Sequence, residues 1–175
     1  MHKEAGNEGL RFGRQCGLYC GSSALYRAYK DGGDFKKRFS KEWDIPIDEV
    51  RCEGCHALTE ECRESGCEIV RCTSSKGFEF CFECPEYSRG GCKNHKVVAE
   101  NVAKYGIDLR SNLESIRAGD IEAWLSESKE RFKCPSCGES LPSLLWTESK
   151  CYHCNSNLDA AIGTPRDGGK RKGKA

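Results

Sequence analysis

Cys134-Pro-Ser-Cys137-Gly138 and, further on, Cys151-Tyr-His-Cys154 decide how this chain can fold. Each is a C-x-x-C loop, in which two thiolates take adjacent corners of a tetrahedron while backbone N–H groups point at the sulfurs. Gly138 permits the positive φ that closing such a turn often needs. Thirteen residues separate Cys137 from Cys151. That is enough for a short hairpin or loop that sets the second pair opposite the first. Four thiolates fill a tetrahedral shell and leave no open position for a substrate, so the site reads as structural and not catalytic. Zn2+ is the expected ion, and iron in a rubredoxin-like arrangement needs the same four sulfurs. His153, between the second pair, reads as a solvated residue and not a ligand.

Composition explains why a metal is needed. The chain has 175 residues, of which Leu, Ile, Val and Phe together number 30, against 14 cysteines and a net charge of +1. So little apolar material does not usually sustain a fold, while the near-zero net charge argues against disorder. Cysteine must supplement the core, through disulfides or through metal. Residues 1–15 are polar throughout and lack the apolar stretch of a secretory signal, and no run approaches the 18 apolar residues of a membrane span. The expectation is a cytoplasmic chain whose thiols stay reduced, which favours metal.

Three regions and a tail separate by composition. Residues 10–95 form a cysteine-rich metal-binding module, 96–133 a helical scaffold packed on it, and 134–158 a zinc-ribbon-like module. Residues 163–175, ending in Lys-Arg-Lys-Gly-Lys-Ala, read as a disordered basic tail. The fold class expected is a small, irregular, metal-stabilised α+β. Within the first region, helix is expected only from Ser22 to Trp43, broken at Gly32-Gly33. There Asp34 is a candidate cap, Phe35, Phe39 and Trp43 form an apolar stripe, and Ile45-Pro46 ends the helix. In the scaffold, Val98, Val102 and Tyr105 mark one helix closed by Gly106. Leu109, Leu113 and Ile116 mark a second, with Ser111 and Glu114 as a capping box and Gly119 as its end. Asp120 then caps a third carrying Ile121, Trp124, Leu125 and Phe132. In residues 134–158 only Leu141, Leu144, Leu145 and Trp146 are large and apolar, so metal ligation must supply most of that segment's stability.

Ten further cysteines are candidate ligands: Cys16, Cys20, Cys52, Cys55, Cys62, Cys67, Cys72, Cys81, Cys84 and Cys92. The pairs 52/55 and 81/84 have C-x-x-C spacing, and Cys62, Cys67 and Cys72 recur every five residues. Ten sulfurs can fill two four-ligand sites, holding Zn2+ or [4Fe–4S] clusters. The run typical of bacterial ferredoxins is missing. His56 and His95 lie nearby, and Cys92-x-x-His95 has ligand-like spacing, although both histidines read more simply as exposed.

Cys16-Gly-Leu-Tyr-Cys20-Gly, Cys52-Glu-Gly-Cys55, Cys67-Glu-Ile-Val-Arg-Cys72, Lys76-Gly and Cys81-Phe-Glu-Cys84 together resemble the family catalogued as domain of unknown function 3795, cysteine-rich proteins mainly of anaerobic bacteria and archaea. The resemblance runs on through Asn112-Leu113, Glu122-Ala-Trp124-Leu125 and the C-terminal Cys-Pro-Ser-Cys-Gly, from about Cys16 to Asn155. It implies metal binding and brings no catalytic residues. This chain departs from the pattern at Ser23, where members often have cysteine, and in the longer stretch Tyr87-Ser-Arg-Gly-Gly-Cys92. One upstream shell could therefore be open, or completed by His56 or His95.

Three functions remain in play: a zinc protein with a structural or protein-interaction role, an iron–sulfur redox or sensor protein, and a nucleic-acid-binding zinc ribbon. Residues 166–175 carry five cationic side chains against Asp167, a net of +4, which leaves −3 for residues 1–165. A slightly negative body is a poor partner for polyphosphate, so a protein partner is favoured over nucleic acid. No phosphate loop and no Gly-x-Ser-x-Gly motif is present, and the balance leans away from an enzyme.

Overall fold

The computed structural model describes residues 13, 15–57, 60–103, 105–143 and 150–158. Helix α1 (Ala24–Asp31) and helix α2 (Gly33–Glu42) form a hairpin turned at Gly32 and Gly33, both with positive φ. Phe35 and Phe39 of α2 meet Leu25, Tyr26 and Ala28 of α1. Ile45, Val50, Cys52 and Cys62 close this first core from the next segment of chain. Trp43 is the C-cap of α2, stands 37% exposed and stacks on Phe39, so the aromatic stripe buries only two of its three rings. Asp34 is not the cap. Gly32 occupies that position and Asp34 lies in the first turn, where its carboxylate faces the positive end of the helix and pairs with Lys37.

The larger core gathers elements from most of the described chain. Helix α3 (Glu68–Lys76) contributes Ile69. Phe80, the short α4 (Pro85–Ser88) with Tyr87, and α5 (Lys93–Ala103) with Val102 are next along the chain. Then come α6 (Leu109–Arg117) with Leu109, Leu113 and Ile116, and α7 (Ile121–Arg131) with Trp124. Cys16, Leu18, Cys81 and Cys84 belong to the same core. The first scaffold helix, expected from residue 96, begins at Lys93, and the scaffold helices share one interior with the cysteine-rich segment.

Helix α3 lies in a stretch with no obvious apolar periodicity. It buries Ile69 and Thr73, with Cys72 partly covered beside them. Thr73 can be buried because its hydroxyl donates back to the Ile69 and Val70 carbonyls at 2.9 and 3.1 Å. For α6, Asp108 is the cap: its Oδ1 accepts the Arg110 and Ser111 N–H groups, each at 3.0 Å. Ser111 is thereby placed inside the helix and its capping box with Glu114 does not form. Asp120 holds the N-cap position of α7 without a side-chain cap bond.

The segment before α1 is pinned on α6 by close approach. Gly17 has φ +87, and a Cβ there would stand 2.7 Å from the Leu109 carbonyl oxygen and 2.8 Å from Leu113 Cγ. Asn112 Nδ2 donates to the Gly17 carbonyl at 2.8 Å. Only glycine fits that conformation and that contact without strain.

The α+β expectation gives way to a mostly helical chain. Among the described residues there are no strands, only isolated antiparallel bridges at Gly13–Tyr19, Lys133–Ser140 and Lys150–Asn157. The cysteine-rich loops instead tighten into 3-10 turns at Cys20–Ser22, Cys55–Ala57, Arg63–Gly66 and Cys81–Glu83. Runs this short between turns leave no length for a ladder. No helix among the described residues is long and apolar enough to cross a membrane. Leu144, Leu145, Trp146 and the basic tail lie outside the described residues.

Candidate metal centre

Two loops of the same construction face each other at the C-terminal end. In the first, the Gly138 N–H donates to the Cys134 carbonyl at 2.8 Å and the Cys134 N–H to the Glu139 carbonyl at 2.8 Å. In the second, the Asn155 N–H donates to the Cys151 carbonyl and the Cys151 N–H to the Ser156 carbonyl, both at 2.8 Å. The fifth residue of each loop is left-handed, Gly138 at φ +76 and Asn155 at φ +63. Asn is among the few residues other than glycine that visit this region readily. One bridge flanks each loop, Lys133–Ser140 and Lys150–Asn157.

The sulfurs of Cys134, Cys137, Cys151 and Cys154 all lie within 4.8 Å of one another, and this group could hold a metal ion. Cys134 Sγ and Cys154 Sγ are 3.7 Å apart, and Cys137 Sγ and Cys151 Sγ 3.8 Å. A tetrahedron with metal–sulfur bonds of about 2.3 Å has edges of about 3.8 Å, so these two edges already stand at coordination spacing. No disulfide joins any of the chain's cysteines. Cys134 and Cys151 are buried while Cys137 and Cys154 are exposed, which gives the site one dry and one wet side.

Charge is distributed unevenly over the four. Burial pushes the Cys134 thiol up, but the Ser156 hydroxyl and the Cys137 and Ser136 N–H groups outweigh it and bring the pKa down to about 6. Ser156 lowers Cys154 as well, through its hydroxyl at 3.1 Å and its backbone N–H. Burial raises Cys151 to about 12 against the N–H groups of Cys154 and His153. The surroundings thus favour the thiolate at Cys134 and Cys154 and disfavour it at Cys151, and a cation bound by all four would displace the remaining thiol protons.

This site also ties the two ends of the described chain together. Tyr152, inside the second loop, stacks on Phe35 of α2 with centroids 4.2 Å apart and donates its hydroxyl to Asp31 Oδ2 at 2.5 Å. Ser143 donates through its N–H at 2.7 Å and its hydroxyl at 3.0 Å to the Ser22 carbonyl. His153 is exposed and holds its Nε2 3.8 Å from Asp31 Oδ2, facing away from a ligand role.

The other ten cysteines are placed differently. Among the described residues, no further group of three or more cysteines, histidines or carboxylates brings its ligand atoms within the same distance. Cys52 and Cys62 sit in the core of the α1–α2 hairpin, and Cys62 Sγ donates to the Arg51 carbonyl at 3.5 Å. Cys16, Cys81 and Cys84 line the larger core, with Cys67 and Cys92 packed against it. Cys20 and Cys55 are buried at the starts of 3-10 turns. The five-residue recurrence of Cys62, Cys67 and Cys72 therefore spans two cores.

Around Cys81 the thiols nonetheless crowd. Burial pushes its pKa far up, and the neighbouring sulfurs of Cys16, Cys92, Cys72 and Cys84 push in the same direction. Cys84 is lowered: burial opposes, but the Glu86 and Tyr87 N–H groups and the Lys76 ammonium prevail. Lys76 Nζ lies 3.7 Å from Cys84 Sγ, and Cys72 and Cys84 together raise the lysine's own pKa. Sequence spacing gives no sign of Lys76 as a neighbour to these sulfurs.

Among the described residues, neither histidine joins a group of ligand atoms as close as the C-terminal four. His95 is buried, not exposed. Its Nε2 faces the Cys16 carbonyl at 3.1 Å, its ring stands edge-on to Tyr87, and burial lowers its pKa. His56 Nε2 is 2.6 Å from the Gly13 carbonyl. Ser23, where the chain departs from the pattern it resembles, is buried at the junction between the Cys20–Ser22 turn and α1.

No curated protein and no solved structure matches the chain. A family model does match, over residues 13–97, which ends before α6, α7 and the C-terminal loops. Residues 13–97 thus carry the segment described as Protein of unknown function (DUF3795), the family that the upstream cysteine pattern resembles.

Proposed function

We propose that the protein is a structural zinc protein, in which a Cys134/Cys137/Cys151/Cys154 tetrathiolate fastens the C-terminal segment onto the α1–α2 hairpin. The observation that carries this reading is the spacing of the four sulfurs, all within 4.8 Å, with edges of 3.7 and 3.8 Å. A cation bound there has four protein ligands and no open position, so it supplies folding energy and no reaction. By ordering the second loop it would hold Tyr152 against Phe35 and Asp31, contacts that a metal-free loop of so few apolar residues has little else to maintain. Zinc is favoured because the donor set is closed and all-sulfur, as in structural zinc sites. Its role for the cell is then structural, presenting the helical body to a protein partner. A balance of −3 over residues 1–165 disfavours nucleic acid.

The test is metal analysis of anaerobically purified protein beside Cys134→Ser. Zinc falling by about one equivalent per chain supports the reading. Iron at the same stoichiometry, lost with the same substitution, would replace zinc by the iron alternative that shares these donors.

A further inference from the structure

We infer that Cys72, Cys81, Cys84 and Cys92 form a second thiolate site for a thiophilic divalent cation, with the Lys76 ammonium as its neighbouring counter-charge. The four side chains line one small cavity of about 10 Å³, roofed by Ile69, Phe78 and Tyr87. That is close to the smallest space able to hold a single water-sized particle. Four elements converge on it: α3 brings Cys72, the Cys81–Glu83 turn brings Cys81, Cys84 leads into α4, and Cys92 leads into α5. No disulfide pairs any of the four.

The backbone around Cys84 repeats what is seen at the C-terminal site. Cys134 receives the N–H groups two and three residues on, those of Ser136 and Cys137. Cys151 receives those of His153 and Cys154. Cys84 likewise receives those of Glu86 and Tyr87. Three sulfurs of the chain thus sit in the N–H cradle that steadies a metal-bound thiolate.

Lys76 explains how the charge would be carried. Four thiolates around a divalent cation leave a net of −2, costly in a site walled by Ile69, Phe78 and Tyr87. The ammonium 3.7 Å from Cys84 Sγ halves that excess. The four sulfurs stand wider apart than those of the C-terminal site, so binding would draw Cys72 and Cys92, both only partly buried, toward Cys81 and Cys84 and release the thiol protons. This site uses none of the C-terminal ligands, so it stands or falls separately from the tetrathiolate proposed above.

Cadmium-113 NMR of the full chain, prepared anaerobically and loaded with cadmium, provides the test. The intact protein should show at least two resonances in the all-thiolate region. Cys84→Ser should abolish one of them and leave the resonance lost in Cys134→Ser. Cys16→Ser, which removes the one crowding sulfur outside the cavity lining, should keep both. Lys76→Met should keep both resonances while the second cation is lost to chelator about 10-fold more readily. A single resonance in the intact chain, or a second one that survives both Cys84→Ser and Cys72→Ser, would overturn the proposal.

Discussion

The loops at Cys134 and Cys151 and the pair at Cys81 and Cys84 share the same C-x-x-C spacing, yet only the first two bring four sulfurs to tetrahedral range. The difference lies in the residue immediately after each pair. Gly138 succeeds Cys137 and Asn155 succeeds Cys154, both left-handed, so each loop turns back and offers both sulfurs on one side. Pro85 succeeds Cys84, starts α4 and carries the chain onward into the core. A positive-φ residue behind a C-x-x-C pair therefore folds it into a self-contained loop that can meet a second such loop. Without one, as at Cys81 and Cys84, any partner sulfurs have to come from other elements of the core.

The contrast predicts how unequally the two regions depend on metal. Chelation should abolish amide protection over residues 134–143 and 150–158, because structural zinc contributes on the order of 10 kcal/mol to modules of this kind. The larger core around Leu109 and Leu113 should stay protected, which hydrogen exchange with and without chelator would read. Equal loss of protection in both regions would erase the distinction.

A core substitution should do the reverse. Leu113, fully buried against Gly17, should cost about 3 kcal/mol on replacement by Ala, while the metal bound at the C-terminal site is retained. Gly17→Ala should cost about 2 kcal/mol, since it forces a Cβ into the Leu109 carbonyl and holds alanine at φ +87. Urea unfolding midpoints read both, and stability unchanged in either would undo the pinning of the N-terminal segment on α6.

The smallest effect belongs to the seam between the regions. Tyr152→Phe keeps the stack on Phe35 but removes the hydroxyl bond to Asp31, and should cost about 1 kcal/mol with metal content unchanged. Loss of metal in this variant would mean that the seam holds the site, and not the site the seam.

How much of this is legible in the sequence varies by mechanism. The hairpin broken at Gly32-Gly33 and the helices carrying Leu113 and Trp124 are readable, because their apolar residues recur at helical spacing. The grouping of Cys134, Cys137, Cys151 and Cys154 is readable from spacing and Gly138, although the matching part played by Asn155 is not. Helix α3 is hidden because its buried face is built from Ile69, Cys72 and Thr73, and a threonine becomes core material only once its hydroxyl bonds back to the helix. His95 reads as a surface residue until tertiary structure supplies the Cys16 carbonyl, 79 positions away in sequence. The strands of the expected α+β fold are missing among the described residues, where the cysteine-rich loops close as 3-10 turns. The gathering of Cys72, Cys81, Cys84 and Cys92 depends on the packing of α3 against α5, which no local pattern encodes.

Native mass spectrometry of the intact chain and of Cys134→Ser, both purified anaerobically, tests the closed tetrathiolate most directly. The substitution should remove the mass of one divalent cation, zinc, per chain and leave any other bound metal in place. An unchanged metal complement in Cys134→Ser would contradict a metal site built from Cys134, Cys137, Cys151 and Cys154.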